Sequence, residues 1–503
     1  MYQLYRDRPL LVLFMVLANI AVSMWCLNID PVINNDGVTY LNLAQMMLDG
    51  HWSKAFETYS WPYYAVFIAA TAKITFLGVE NAAFLLNTAL ATSLTLAFVC
   101  IVAELSSNNR RIILIAMLVI LFFPSITKYR SFIIRDFGYL SCYLWSLYFI
   151  FRFCSSLDKR HLIGWLVFAA LSCLFRFEGI AFLLIAPYFL ILFTATEIPH
   201  RRLVLMILSA VLLIASVGLT IWYITDKYAG LIEAARSTGK DVHNVFDLFI
   251  LNTQEELGGA ELTTWNYLGV IFSNLGSVAY ELIRRMAVFY FFFALYAYIK
   301  NIGFKNELIK RVWSVYVLSN ICLLVAYSLY NNFLVSRYTM ASALTLLLLS
   351  PFVIDRMLKG FKHFNLTKRG FATLAILLMT ATSVEGLDVR TKKIHIKETG
   401  LWIKHQLADT SHIFSNDPLI IYYASRGHND RLNDAYTTLQ LESHIASKHI
   451  NSFDYVALSL KPNDFHENLA RQTLSYHHGA PEKIINGVGQ RAVFIFKIRK
   501  NHP

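Results

Sequence analysis

Four stretches of this sequence place ionisable side chains where a reaction could use them. In NNDGVTYLNLAQMMLDG (34–50), Asp36 stands just ahead of Val38, Leu41, Ala44 and Leu48, which recur at helical spacing. An acid there is a natural helix N-cap, its carboxylate accepting a free backbone N–H. Held at a membrane surface, the same carboxylate could serve as a general base or a metal ligand, and the two readings can coexist. SFIIRDFGYL (131–140) sets Arg135 beside Asp136, either a topological anchor at a span boundary or a functional pair. FRFEG (175–179) carries Arg176 and Glu178, and YNNFLVSRY (330–338) carries Arg337 and Tyr338. A guanidinium at the outer face of a membrane suits a lipid phosphate, which it can grip through two parallel N–H donors.

Other candidates carry less chemistry. Ten of the fifteen histidines, His477 and His478 among them, lie after residue 386, but none shows a usual metal-ligand spacing, so they read as solvated surface. NGVGQ (486–490) precedes a strand-like run instead of a helix, so it reads as a hairpin turn and not a phosphate loop. No Walker lysine motif and no G-x-S-x-G occur, which leaves an ATP-driven pump and a serine hydrolase without support.

The elements that must position these residues are membrane helices. Of 503 residues, 56% are hydrophobic and only 16% charged, with a mean hydropathy of +0.47. Soluble domains carry about 25% charged residues, so too little charge remains here to cover a soluble surface. Apolar runs of spanning or near-spanning length fall at 10–28, 81–104, 112–126, 137–153, 162–175, 178–196, 203–224, 283–299, 312–330, 338–354 and 371–386. About eleven spans with a cytoplasmic N-terminus put Arg110–Arg111, Arg152, Lys159–Arg160, Arg201–Arg202, the Lys300–Arg311 group and the Arg356–Arg369 group inside, as the positive-inside rule requires. The net charge of +12 follows from that topology, and a nucleic-acid partner is not expected. Arg176 and Arg337 fall on the outer side, against the trend.

Counting WPYYAVFIAATAKITFLG (61–78) as a further span would turn the basic loops outward, so it is expected to be an interfacial or re-entrant helix on the outer face. The outer loops are then 29–80, 127–136 and 225–282. Residues 1–386 form the expected transmembrane module. Residues 387–503 are expected to be a small soluble α/β domain outside the membrane, with strands near 412–417, 455–460 and 492–498 and helices near 396–408 and 465–475. The six cysteines all lie in or beside apolar runs and read as small core residues.

Taken in order, NNDGVTYLNLAQMMLDG, the WPYY segment, IIRDFG, FRFEG, SRYTM and KETGLWIKHQLADTSHIFSNDPLIIYYASR resemble the GT-C polyprenyl-phosphate-sugar glycosyltransferases, a group that includes protein O-mannosyltransferases and the aminoarabinose transferase of lipid A. The resemblance implies a polytopic helical membrane enzyme. Such an enzyme makes an inverting transfer, at the outer face, from a sugar on a polyprenyl phosphate to a hydroxyl of a glycan, lipid or protein acceptor. It matches Asp36 to the family's first-loop acid and Asp136 to that of the second outer loop, the two catalytic candidates. Lys54, Arg135, Arg176 and Arg337 are the candidates to hold the donor phosphate, and Tyr40, Tyr63, Tyr64, Glu178 and Tyr338 to contact substrate. A divalent metal on Asp36 and Asp136 is left open, because Gly37 follows Asp36 where a second acid could stand. Many relatives open the surface helix with Pro-Pro, whereas this chain has Trp61-Pro62-Tyr63-Tyr64.

A bacterial inner membrane is the expected location. The one N-x-S/T sequon, Asn365-Leu366-Thr367, falls in a cytoplasmic loop, which disfavours the endoplasmic reticulum. Competing readings are a transporter or flippase of lipid-linked glycans, a polymerase or ligase of polyprenyl-diphosphate glycans, and a non-catalytic envelope protein. The first would carry charges inside spans and broken helices in matching halves.

Overall fold

The computed structural model describes residues 8–158, 160–183, 264–331, 333–361, 366–387, 393–408, 410–424, 452–460, 465–489 and 491–499. The expected spans at 203–224 and beyond residue 183 of 178–196, and outer-loop residues 225–263, lie outside the described residues. The described chain is mostly helical with a four-stranded sheet. It divides into two compact units, one of residues 1–19, 90–127 and 136–386, the other of 20–89, 128–135 and 387–503.

Three described helices are long and apolar enough to cross a membrane: Pro9–Ile29, Val79–Leu105 and Glu307–Leu329. Two bent pairs would raise that number to five. With the composition, this makes the chain an integral membrane protein. In the first unit the apolar run 283–299 is not one straight helix. Thr264–Arg285, part of which was read as loop, ends at Arg285, and Phe289–Ile299 leaves at 98° to it. The break contains neither Gly nor Pro. Ala287 and Val288 take positive φ of 49° and 55°, a strained conformation for side chains with a Cβ. The run 338–354 is likewise bent, by 47°, between Ser336–Leu347 and Ser350–Gly360. Pro351 sits in the first turn of the second piece, where its missing N–H costs nothing. Asp136–Ser156 is buried along nearly its whole length and packs against Arg160–Phe175.

In the second unit, Tyr63–Thr75 packs on Asn35–Leu48, burying Tyr64, Ala65, Ile68, Ala69 and Ala72, while Ile74 and Phe76 face outward. Its 13 residues rise only about 20 Å, short of the ~30 Å hydrocarbon thickness. It is therefore too short to cross a membrane by itself. The tail builds a sheet in the order β1-β2-β4-β3, from β1 (Ile413–Ser415), β2 (Tyr455–Leu460), β3 (Lys483–Asn486) and β4 (Ala492–Lys497). β1 runs parallel to β2, and the other pairs are antiparallel. Phe414, Val456, Leu458, Leu460 and Phe496 pack with Ala470 and Leu474 of the Phe465–His478 helix into one core. β3 and β4 pair antiparallel from Asn486 opposite Ala492, with Gly489 between them at φ +74°, so the hairpin reading holds.

Candidate functional site

The first unit assembles its charged residues around one arginine. Asp136 opens the Asp136–Ser156 helix, where an acid faces the positive end of the helix dipole. Two residues on, Gly138 lets the Phe175 ring lie directly on the helix backbone, and a Cβ there would run into that ring. Phe175 ends the neighbouring helix, so this contact delivers Arg176 to Asp136. The Arg176 guanidinium donates to Asp136 and forks onto Glu178, with Nε 3.2 Å from the second Glu178 oxygen. Arg176 and Asp136 are each only 4% exposed, so this ion pair is buried, whereas Glu178 is about a third exposed. Burial alone would lower the Arg176 pKa, but Glu178 and Asp136 outweigh it and hold the group above its ordinary value. Aromatic faces complete the cage. The Tyr338 ring centre lies 3.9 Å from the guanidinium carbon and that of Tyr139 5.6 Å, and Tyr327 meets Tyr338 edge-on at 4.7 Å.

These side chains, with Asn320 and Arg337, line a small cavity. Glu178 and Arg176 of FRFEG and Arg337 and Tyr338 of SRYTM thus come together with Asp136 in three dimensions. One expected assignment changes character, because Arg176, read as a phosphate grip, already has two carboxylate partners. Sequence reasoning missed Arg285. It ends the Thr264–Arg285 helix, is 7% exposed, donates to the Ser336 hydroxyl, and offers its carbonyl to Ser125 at 2.8 Å. That bond seats it beside the segment bearing Arg337. Arg284-Arg285 at the outer end of an apolar run, against the positive-inside trend, was the signal that could have found it.

The second unit holds Asp36 differently. The helix runs Asn35–Leu48 with Asn34 as its N-cap, so Asp36 lies in the first turn and is not the cap. The Asn34 side chain caps nothing and instead accepts the Ile133 N–H at 2.8 Å. Gly37 fits between these two, since a Cβ would stand 3.0 Å from Asn34 Oδ1 and 3.1 Å from the Ile133 Cβ. Asp36 is half-buried, and Tyr40, one turn on, is buried with its ring edge-on to Tyr59 and Tyr64 at 6.0 and 5.0 Å. Burial drives the Tyr40 phenol well above its ordinary range, Arg135 opposes this, and Tyr59 and Asp36 add to it. Asp36, Tyr40, Tyr59 and Arg135 therefore share one electrostatic neighbourhood. The chain-adjacent pair Arg135 and Asp136 is divided, one residue in each unit. Tyr64, expected to contact substrate, is wholly buried with its hydroxyl on Asn87 at 2.5 Å, a core position. Tyr63 faces the other way, against Trp61 and Phe56, and Lys54 lies exposed on the short Trp52–Thr58 helix.

A divalent ion needs several oxygen ligands converging on one point. Among the described residues no three His, Cys, Asp or Glu side chains gather in that way, and Asp136 is taken by Arg176. Among the described residues the donor set does not fit a metal.

No family model and no curated protein matches the sequence. A solved structure does: ArnT from Cupriavidus metallidurans in the apo state superposes with a TM-score of 0.51 at 14% identity, covering 96% of this chain and 97% of that one. The chain has the fold of that structure. The oligosaccharyltransferase of Archaeoglobus fulgidus, solved with a tethered acceptor peptide, is similar over 88% of this chain and 69% of its own, with a TM-score of 0.47 and 11% identity.

Proposed function

We propose that this chain is an integral-membrane inverting glycosyltransferase of the bacterial inner membrane. It moves a sugar from a polyprenyl phosphate to a hydroxyl of an envelope glycan, lipid or protein on the outer face, with its N-terminus in the cytoplasm and its tail in the periplasm. The observation that carries this reading is the charged, tyrosine-walled cavity of the first unit, built inside a GT-C fold. Buried ionisable groups in a membrane protein are expensive and are kept where they act on a substrate.

In the proposed reaction the acceptor oxygen attacks the anomeric carbon as its bond to the phosphate oxygen breaks, inverting that centre. The acceptor proton passes to the Asp36 carboxylate. Asp36, half-buried on the first turn of its helix, is the proposed general base. The departing polyprenyl phosphate is a weak base and needs its charge offset more than it needs a proton. In the unit that holds Asp36, Arg135 and Lys54 are the candidates to supply that charge. Arg176 holds Asp136 and Glu178 in place, so Asp136 acts by fixing the cavity wall. Tyr338, Glu178 and Tyr63 are assigned to substrate contact.

Mass spectrometry of envelope lipids, glycans and proteins from cells with and without the gene tests the function. Deletion is expected to leave one class of molecule a single sugar short and to accumulate the polyprenyl-phosphate sugar. An envelope unchanged by deletion contradicts the proposal, and whole lipid-linked glycans accumulating on the cytoplasmic side would point to transport.

A further inference from the structure

Five residues, 30–34, join the first apolar helix to the helix carrying Asp36, and they have no secondary structure of their own. Val32 and Ile33 are buried at 3% and 1% exposure, so the polar backbone groups of this segment need partners within the protein. The tail supplies two of them across more than 360 residues of sequence. The Tyr423 hydroxyl accepts the Ile33 N–H at 3.0 Å, and Lys397 donates to the Pro31 carbonyl at 3.1 Å. Lys397 also lies 5.1 Å from the Tyr423 ring centre, so the two holding groups brace each other. Next to them, Tyr422 donates to Glu80 at 3.0 Å, at the start of the Val79–Leu105 helix.

The holding groups are themselves rigid. Asp417 caps the short Pro418–Tyr423 helix by accepting the Leu419 N–H at 3.0 Å, and Pro418 pre-sets its first turn. That helix lies directly on Ile394–Gln406 at Gly400, where a Cβ would stand 2.8 Å from the Ile420 carbonyl oxygen. Ile403, Leu419 and Ile420 fill the contact with no exposure. All of this, Asp36 included, lies in one compact unit.

We infer that Tyr423 and Lys397 are positioning residues for Asp36, and that the tail's task in the reaction is to fix the five-residue lead-in that sets where the Asp36 helix begins. This rests on the proposed role of Asp36 as base. A general base acts only within hydrogen-bond reach of the proton it takes, and displacement of a reacting group by about 1 Å can cost on the order of 100-fold in rate. Tyr423→Phe keeps the ring and its packing while leaving the Ile33 N–H without an acceptor. Lys397→Ala removes the second tether, and Lys397→Arg restores a donor and a cation over the ring.

The test uses the full chain in membranes and has two readouts: the fraction of envelope glycan modified per copy of protein, and hydrogen exchange at the Ile33 amide in the purified protein. Tyr423→Phe is expected to speed Ile33 exchange and lower modification about ten-fold. Lys397→Ala is expected to do likewise, with Lys397→Arg near wild type. A purely structural role would lower abundance while leaving the fraction modified per copy of protein unchanged, which overturns the inference. Unchanged modification in Tyr423→Phe and Lys397→Ala, with faster Ile33 exchange, also overturns it, since the tether would then exist without serving the reaction. If Tyr423→Phe fails to accumulate, the Lys397 pair decides alone. An active Asp36→Asn enzyme is the separate result that removes the underlying reading.

Discussion

The two units hold carboxylates in opposite ways. In the first, Asp136 and Glu178 close around Arg176, and the buried guanidinium is also covered by the Tyr338 ring. In the second, Asp36 stands half-buried on the first turn of its helix, with buried tyrosines and Arg135 around it. A carboxylate locked to a buried cation is held in place by it, since removing either charge leaves the other uncompensated in a region of low dielectric. In the proposed reaction that contrast separates Asp136 and Glu178, which build a wall, from Asp36, which reacts.

The largest effect expected from disturbing this contrast comes from Arg176→Met. Removing one partner of a buried ion pair costs about 3–5 kcal/mol, and here it takes the guanidinium from the buried Asp136 and from Glu178, so the melting temperature in detergent and the membrane abundance should fall sharply. Survival of a normally stable Arg176→Met protein would break the comparison. Gly138→Ala comes next, since the added methyl meets the Phe175 ring and overpacking of this kind costs roughly 1–3 kcal/mol. Adding Phe175→Leu should recover much of the lost melting temperature, and no recovery would mean that this contact does not deliver Arg176.

Tyr338→Leu removes the aromatic face over the guanidinium, worth about 0.5–2 kcal/mol, and should be visible as a smaller drop in thermal stability with the ion pairs intact. The smallest expected effect lies in the tail of the second unit. His395 is buried with Nδ1 lacking a hydrogen-bond partner, and burial, with Arg491 and Lys393 nearby, lowers its pKa. The unfolded chain therefore takes up the proton first. Stability should be full above the unfolded histidine value, ~6.5, and decline as pH falls below it. A thermal unfolding series from neutral to acid pH checks this, and a decline on raising the pH would contradict it.

Much of this arrangement was legible in the sequence, because it depends on periodicity and local chemistry. The helix after Asp36, the short apolar helix opened by Trp61-Pro62, β2, β4 and the turn after β3 all follow from apolar spacing and turn residues. What escaped depends on partners distant in sequence. Nothing in FRFEG states that Arg176 will spend its donors on Asp136, and the same residues read equally well as a phosphate grip. The break at 286–288 has no Pro or Gly to announce it, and with it went Arg285. β3 is a short edge strand, mostly exposed, with no apolar alternation to mark it. The tethers from Tyr423 and Lys397 to residues 31 and 33 cross more than 360 positions, a distance that no local pattern records.

The central claim is that Asp36 is the base of a sugar transfer, and one comparison tests it most directly. Cells lacking the chromosomal gene would express either the wild type or Asp36→Asn at equal membrane abundance, and their envelope lipids and glycans would be weighed by mass spectrometry. The account predicts that the Asp36→Asn protein folds and accumulates normally but leaves the acceptor one sugar short, as in the deletion. Acceptors fully modified by Asp36→Asn, where the deletion leaves them bare, would contradict it.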